Sequence, residues 1–277
     1  MKRSISISVL SILFLAAFSA QAQKASAIWP SVTPAPGKIV AISHRGEHLH
    51  HPENTIAAFQ AAIDAGADFF ELDVQTTSDG KLVLMHDGSV NRTTSATGRI
   101  REMTFDQVRA LDAGAKFSSA FAGTKVPTLD EAFDLAHGKI NVYVDTKNAD
   151  AKLLVDTIIR HDMQEHVVIY GNPFFLYEVL KMRPDLRVMP EAYSPDISKL
   201  LTRSMPLKVL AFSASDFNDE TIQVAKKANA LIYVDRMGTT DGPEGWQAAI
   251  DKGANGIQTD RPAELVEYLR SHQIASH

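Results

Sequence analysis

Apolar positions along the chain follow two alternating rhythms. Short β-rich runs lie near 39–44, 69–75, 82–86, 140–145, 167–171, 187–191, 208–213, 230–235 and 256–259. Between them a helical period runs through 55–65, 129–136, 151–161, 174–182, 220–228 and 262–272. Strands alternating with helices predict an α/β fold with a parallel sheet. A length of about 250 residues beyond the first segment favours a TIM-type (β/α)8 barrel over an open sheet. Nine candidate strands stand for eight places, so 187–191 or 208–213 is expected to be an irregular connection. Asn54 is a candidate N-cap of the first helix and Gly66 its C-cap. The stretch 88–127 is long for one connection and holds turn residues around a helical pattern near 105–111. It predicts a small insertion over the barrel mouth after the third strand, within a single barrel domain spanning 39–277.

The first 22 residues change the picture of where this barrel works. Lys2 and Arg3 precede an apolar core over 5–18, and Ala20-Gln21-Ala22 is a small-residue cleavage site. That order reads as a signal peptide, with an uncleaved anchor as the alternative, although the apolar stretch is short for a span of about 20 residues. The mature chain is then expected to start near Gln23, with an irregular lead-in over 23–38, and to be exported to the periplasm or secreted. Loss of Lys2 and Arg3 takes the formal net charge from -5 to -7. A mildly acidic chain without a basic run argues against nucleic acid or an anionic membrane as the main partner. Oligomeric state is not legible. With no cysteine, disulfides and thiolate metal sites are excluded.

Ionisable residues interrupt the early strands. Glu71 and Asp73 stand two apart in an apolar run, so their carboxylates share a face and repel unless a cation lies between them. Asp145 ends another run. Three carboxylates without cysteine form a hard oxygen set suited to one divalent cation, Mg²⁺ or Ca²⁺. Lys147 shares the face of Asp145, either as a phosphate contact or as a salt bridge to these acids, and Arg45 could grip a phosphate oxygen. His44 and His86, at the ends of separate strands, are candidates for proton transfer.

These residues fall into motifs. His44-Arg45-Gly46, Pro52-Glu53-Asn54-Thr55, Glu71-Leu72-Asp73-Val74, Asp79-Gly80, His86-Asp87 and Arg92-Thr93-Thr94 together resemble the glycerophosphodiester phosphodiesterases. Further matches lie at Leu111-Asp112-Ala113-Gly114, Val126-Pro127-Thr128-Leu129 and Gly256 to Pro262. The resemblance is dense from His44 to Lys147 and thin over 172–250. It implies a metal-dependent barrel that hydrolyses small glycerophosphodiesters to an alcohol and glycerol phosphate. It further implies His44 and His86 as the catalytic acid/base pair, Glu71, Asp73 and Asp145 on the metal, Arg45 and Lys147 on the phosphate, and Glu53 in support.

Three departures bear on substrate choice. The family pattern Glu-x-Lys is here Asp145-Thr146-Lys147. The family's late Trp-Thr-Val-Asn corresponds to Ile232-Tyr233-Val234-Asp235, so Tyr233 is expected to replace an aromatic wall and Asp235 to add charge near the mouth. His48, His50 and His51 are solvated loop histidines, or else they alter headgroup choice or capture adventitious metal. Two other readings stand beside the main one: a phosphodiesterase for lysophospholipid or sphingolipid headgroups, and a non-catalytic phosphodiester-binding protein.

Overall fold

The computed structural model describes residues 29–277, so the candidate leader lies outside the described residues. Its strands are β1 (Val40–Ser43), β2 (Phe69–Thr76), β3 (Leu82–Leu84), β4 (Asn141–Asn148), β5 (Val167–Tyr170), β6 (Val188–Met189), β7 (Val209–Phe212), β8 (Leu231–Asp235) and β9 (Gly256–Thr259). The helices are α1 (Ile56–Asp64), α2 (Phe105–Arg109), α3 (Leu129–Ala136), α4 (Ala151–Arg160), α5 (Pro173–Met182), α6 (Pro195–Ser204), α7 (Asp219–Lys227), α8 (Pro243–Lys252) and α9 (Pro262–Ser271). Their starts are chemically marked. Side-chain oxygens of Thr55, Thr128, Asp150, Asn172, Ser194 and Asn218 accept from free first-turn amides, which removes donors a helix cannot satisfy itself.

Eight strands run parallel in the order β6-β5-β4-β2-β1-β9-β8-β7. The remaining seam, between β6 and β7, is bridged by Glu191 and Ala211, with Ala192 N donating to Ala211 O at 2.8 Å. The result is a nearly closed TIM-type barrel. Both doubtful runs, 187–191 and 208–213, therefore hold barrel strands. The surplus strand is β3, which turns back antiparallel along β2 with Val74 opposite Leu84. A short apolar run cannot distinguish these pairings, because both bury Leu82, Val83 and Leu84.

The segment that follows β3 carries α2 and packs its own small core of Val83, Met85, Val90, Ile100, Val108, Ala113 and Val126. The main core lies between the barrel and its helices, around Phe59, Phe70, Phe133 and Trp246. A second apolar layer fills the barrel interior, including Ile42, Phe69, Tyr143, Val168 and Tyr233. Its lower end is stoppered by the lead-in. Val32 joins the interior layer and its carbonyl accepts from Tyr233 Oη at 2.9 Å. Trp29 Nε1 donates to Ile140 O, and its ring stacks on His166 at 3.4 Å. Tyr233 is thus committed to the barrel floor and forms no wall at the mouth, contrary to the expectation from the late strand.

Candidate active site

The two-residue period of the strands positions the site. Inward positions are apolar low in the barrel and become ionisable toward the carboxyl ends: Ile42 then His44, Phe69 then Glu71 and Asp73, Tyr143 then Asp145 and Lys147. The same change occurs from Met189 to Glu191 and from Tyr233 to Asp235. A cavity of about 240 Å³ at this end is lined by His44, Arg45, Glu71, Asp73, His86, Asp145 and Lys147, together with Tyr170, Glu191, Asp235 and Gln258. Every candidate catalytic, metal and phosphate residue except Glu53 reaches it.

Asp73 and Asp145 are direct neighbours across the β2–β4 ladder. With Glu71 they place one oxygen each within 4.8 Å of one another. Glu71 and Asp73 are almost fully buried. Burial, then the charges of Asp73 and Asp145, hold the Glu71 carboxyl well above its ordinary range. Burial pushes Asp145 up to about 6, against the opposing pull of Lys147. Lys147 Nζ lies 2.7 Å from Asp145 and 3.2 Å from Asp73, the only cation bridging the two among the described residues. It makes the salt bridges to these acids and also lines the cavity. A compact, self-repelling set of hard oxygens fits one divalent cation.

Around this trio the backbone is held in costly shapes. Arg45 and Asn54 adopt left-handed conformations, φ 53° and 56°, which cost on the order of 1–3 kcal/mol for Arg45 and less for Asn54, since asparagine tolerates this region. Both are fixed by the acids. Arg45 N donates to Glu71 Oε2 at 2.7 Å. Asn54 Nδ2 donates to Asp73 Oδ2 at 2.7 Å, and Asp73 N returns a bond to Asn54 Oδ1. Asn54 is thus a clamp on Asp73. The N-cap of α1 is its neighbour Thr55, because both residue types cap helices and spacing alone cannot rank them. Glu53 stands behind the cavity, 3.2 Å from Arg45 and 2.6 Å from Arg92.

The two histidines are supported differently. His44 Nδ1 lies 2.7 Å from Asp260 Oδ1. Burial lowers the pKa of His44 further than Asp260 raises it. His86 follows β3, and Gln75 Nε2 on β2 donates to its carbonyl at 3.2 Å. Its Nδ1 lies 2.7 Å from Asp87. The Arg92 bond, foremost, holds Asp87 down to about 2. His48 Nδ1 bonds the His44 carbonyl, while His50 and His51 bond Glu47 away from the acidic trio.

Sequence reasoning gave no role to Asp260, Tyr170, Glu191 or Gln258. Asp260 and Gln258 were visible within the closing motif. Tyr170 and Glu191 follow runs too short to distinguish them from any loop residue.

Barrels of this kind place their chemistry at the carboxyl ends of the strands, so the class is a TIM-barrel enzyme. The model of the glycerophosphoryl diester phosphodiesterase family matches residues 44–239. A glycerophosphodiester phosphodiesterase of Caldanaerobacter subterraneus is 35% identical over 245 residues, covering 84% of this chain and 98% of that protein. A glycerophosphodiester phosphodiesterase structure from Agrobacterium tumefaciens aligns with a TM-score of 0.73 at 28% identity, over 81% of this chain and 97% of that one. One from Parabacteroides distasonis shares the fold, with a TM-score of 0.74 at 19% identity, over 88% and 90% of the two chains. The chain belongs to the glycerophosphoryl diester phosphodiesterase family and is accordingly a phosphodiester hydrolase.

Proposed function

We propose that the chain cleaves glycerophosphodiesters to an alcohol and glycerol phosphate, with His44 and His86 moving the protons. Glu71, Asp73 and Asp145 would hold one Mg²⁺ or Ca²⁺. The observation that carries this reading is the convergence of the buried acidic trio with both histidines in one cavity. Bound there, a divalent cation would neutralise charge developing on the phosphoryl oxygens. Arg45 and Lys147 supply further positive charge at the same mouth.

His44 is the better base. Its lowered pKa keeps it neutral near pH 7, and a proton donated from Nδ1 to Asp260 leaves Nε2 as the acceptor. There His44 would take the proton of the water, or of the substrate hydroxyl, whose oxygen forms the new bond to phosphorus. His86, backed by Asp87, would protonate the departing alkoxide as the old phosphorus–oxygen bond breaks. Asp260 and Asp87 fix the two rings as positioning residues.

The deciding assay is release of glycerol phosphate from glycerophosphocholine with Mg²⁺, with Ca²⁺ and with EDTA, beside a His86→Ala control. Metal-dependent turnover that disappears in the control supports this reading. Binding of the diester without turnover under any metal would select the non-catalytic alternative. The lipid-headgroup alternative draws on apolar side chains of α5 and α6: Phe174 is 86% exposed and Leu200 63%. Faster cleavage of long-chain than of deacylated substrates would favour it.

Export rests on residues 1–22 alone, and among the described residues no helix is long and apolar enough to cross a membrane. Recovery of a chain starting at Gln23 outside the cytoplasm would support it. We propose a small-molecule partner only, since no basic surface run suits nucleic acid.

A further inference from the structure

Among the described residues two sets of ligand-bearing side chains converge tightly enough to hold an ion. One is the acidic trio. The other is His44, His48 and Asp260, each offering one ligand atom within 4.8 Å of the rest. The proton relay uses His44 and Asp260 but gives His48 no task. His48 lies between β1 and α1, where its ring meets that of His44 edge to face at 5.3 Å. Its Nδ1 donates to the His44 carbonyl at 2.7 Å. The neutral ring therefore carries its one proton there and leaves Nε2 as a bare lone pair. That nitrogen lies 3.6 Å from Asp260 Oδ1. Two acceptors thus confront one another, a contact that a cation between them relieves.

Ligand chemistry selects the ion. Two imidazoles and one carboxylate suit Zn²⁺, whereas the all-oxygen trio suits a harder ion. Ligand atoms on a tetrahedral Zn²⁺ stand about 3.3 Å apart, given bonds of about 2.0–2.1 Å. The 2.7 Å between His44 Nδ1 and Asp260 Oδ1 would open toward that spacing, and the 3.6 Å from His48 Nε2 would close toward it. The surroundings are already those of a ligand set. A zinc-bound histidine commonly donates its other ring N–H to a carbonyl, which fixes its tautomer, and His48 does so. Asp260 is anchored by its own N, which donates to Asp241 Oδ2 at 2.7 Å. The Arg45 guanidinium, next to His44 in sequence, is engaged by Glu53 at 3.2 Å and Asp73 at 3.5 Å. His48 also lines a cavity of about 260 Å³ with Pro52, Glu53 and Arg92, which offers an ion a way in.

We propose that His44, His48 and Asp260 form a second metal site, for Zn²⁺, that switches the proton relay off. His44 would give the ion its Nδ1 lone pair, and the single proton of the neutral ring would move from Nδ1 to Nε2. The ring gains and loses no proton, yet Nε2 becomes a donor and can no longer accept from the attacking oxygen. That inhibition rests on the diesterase reading above. Binding of the ion does not. Because the acidic trio holds its own harder ion, excess Mg²⁺ should leave Zn²⁺ in place.

The test is calorimetric titration of the Mg²⁺-saturated protein with zinc chloride, for wild type and His48→Asn. Asparagine keeps a donor for the His44 carbonyl in its Nδ2 but has no atom in the place of Nε2. Wild type should bind one Zn²⁺ per chain. The variant should bind it at least tenfold more weakly, since even the outer partners of a zinc ligand are worth about 10–100-fold. Imidazole ¹⁵N spectra should place the His44 proton on Nδ1 without Zn²⁺ and on Nε2 with it. Turnover of glycerophosphocholine in Mg²⁺ should be similar for both proteins, and Zn²⁺ should inhibit wild type at concentrations that spare the variant. A wild type that takes up no Zn²⁺ beside Mg²⁺, equal binding by the variant, or a His44 proton that stays on Nδ1 would overturn the proposal. Zn²⁺ binding that the variant loses, with no turnover by either protein, would support the site while sinking the diesterase reading. Mg²⁺-dependent turnover that Zn²⁺ leaves untouched would keep that reading and overturn the proposal.

Discussion

The two sides of the barrel mouth bury acids in opposite ways. On the β2–β4 side, the acids are compensated at close range. Lys147 bridges Asp145 and Asp73, Asn54 clamps Asp73, and the Arg45 amide holds Glu71. On the β6–β8 side, Glu191 and Asp216 are met by a phenol and backbone amides, with no cation paired to them among the described residues. Tight packing of three carboxylates suits a small hard ion, whereas Glu191 and Asp216 lie close enough to share a proton.

Removing the proton carriers should produce the largest effect. His44→Ala and His86→Ala should each lower kcat by about 10²–10⁴, equally for cationic and neutral diesters, with melting temperatures near wild type. A loss of less than tenfold in either variant would remove that histidine from the proton transfers.

Gly46→Ala comes next. Gly46 has φ 74°, and an added Cβ would lie 2.6 Å from the Ala58 backbone. The variant should lose roughly 1–3 kcal/mol of stability, measured by denaturant unfolding. It should slow all diesters alike, because the strained loop carries Arg45.

A third effect should separate the sides by pH. Asp145 is raised to about 6 by burial, Asp235 to about 7 by burial and Asp145, and Glu191 to about 8 by burial and Asp216. Above about pH 5 the unfolded chain has released most of these protons, whereas the folded chain still holds them. Folded-state proton excess makes stability fall as pH rises. Metal-free protein should therefore melt at progressively lower temperature from about pH 5 to 8. His44, with its pKa lowered, opposes this trend only up to its unfolded value near 6.5. Mg²⁺ should flatten the part due to Asp145, and Glu191→Gln the part due to Glu191. A melting temperature insensitive to both would contradict the contrast.

The smallest effect should come from Arg92→Ala. Arg92 is about half exposed and pairs with Glu53 and Asp87, so its removal should cost about 0–1 kcal/mol of stability. A drop in kcat/KM of less than tenfold should accompany it, through loosening of Asp87 behind His86.

The compensated side was readable in the sequence and the bare side was not, for physical reasons. Glu71 and Asp73 sit inside an eight-residue strand, where a two-residue period declares a shared face. Glu191 follows a strand of two residues, too short to show any period. Asp216 lies in a loop and meets Glu191 only because β6 and β7 close the barrel. Asp235 was expected near the mouth only through its match to the family's late strand, since nothing local distinguishes a mouth acid from a surface one. It does line the cavity. The barrel itself was legible from alternation. The direction of β3 was not, since a hairpin and a parallel crossover bury the same three residues.

That hairpin has a mechanical consequence. His44 extends a strand of the main barrel, but His86 belongs to a satellite with an apolar core of its own. The two histidines are therefore carried by different packing units, latched by the β2–β3 pairing, by Gln75 and by the Glu53–Arg92 pair. Warming should slacken the latch before the barrel gives way, so activity should fade several degrees below the main unfolding transition. Because the satellite both carries His86 and borders the approach to the mouth, a change in its packing would move both at once.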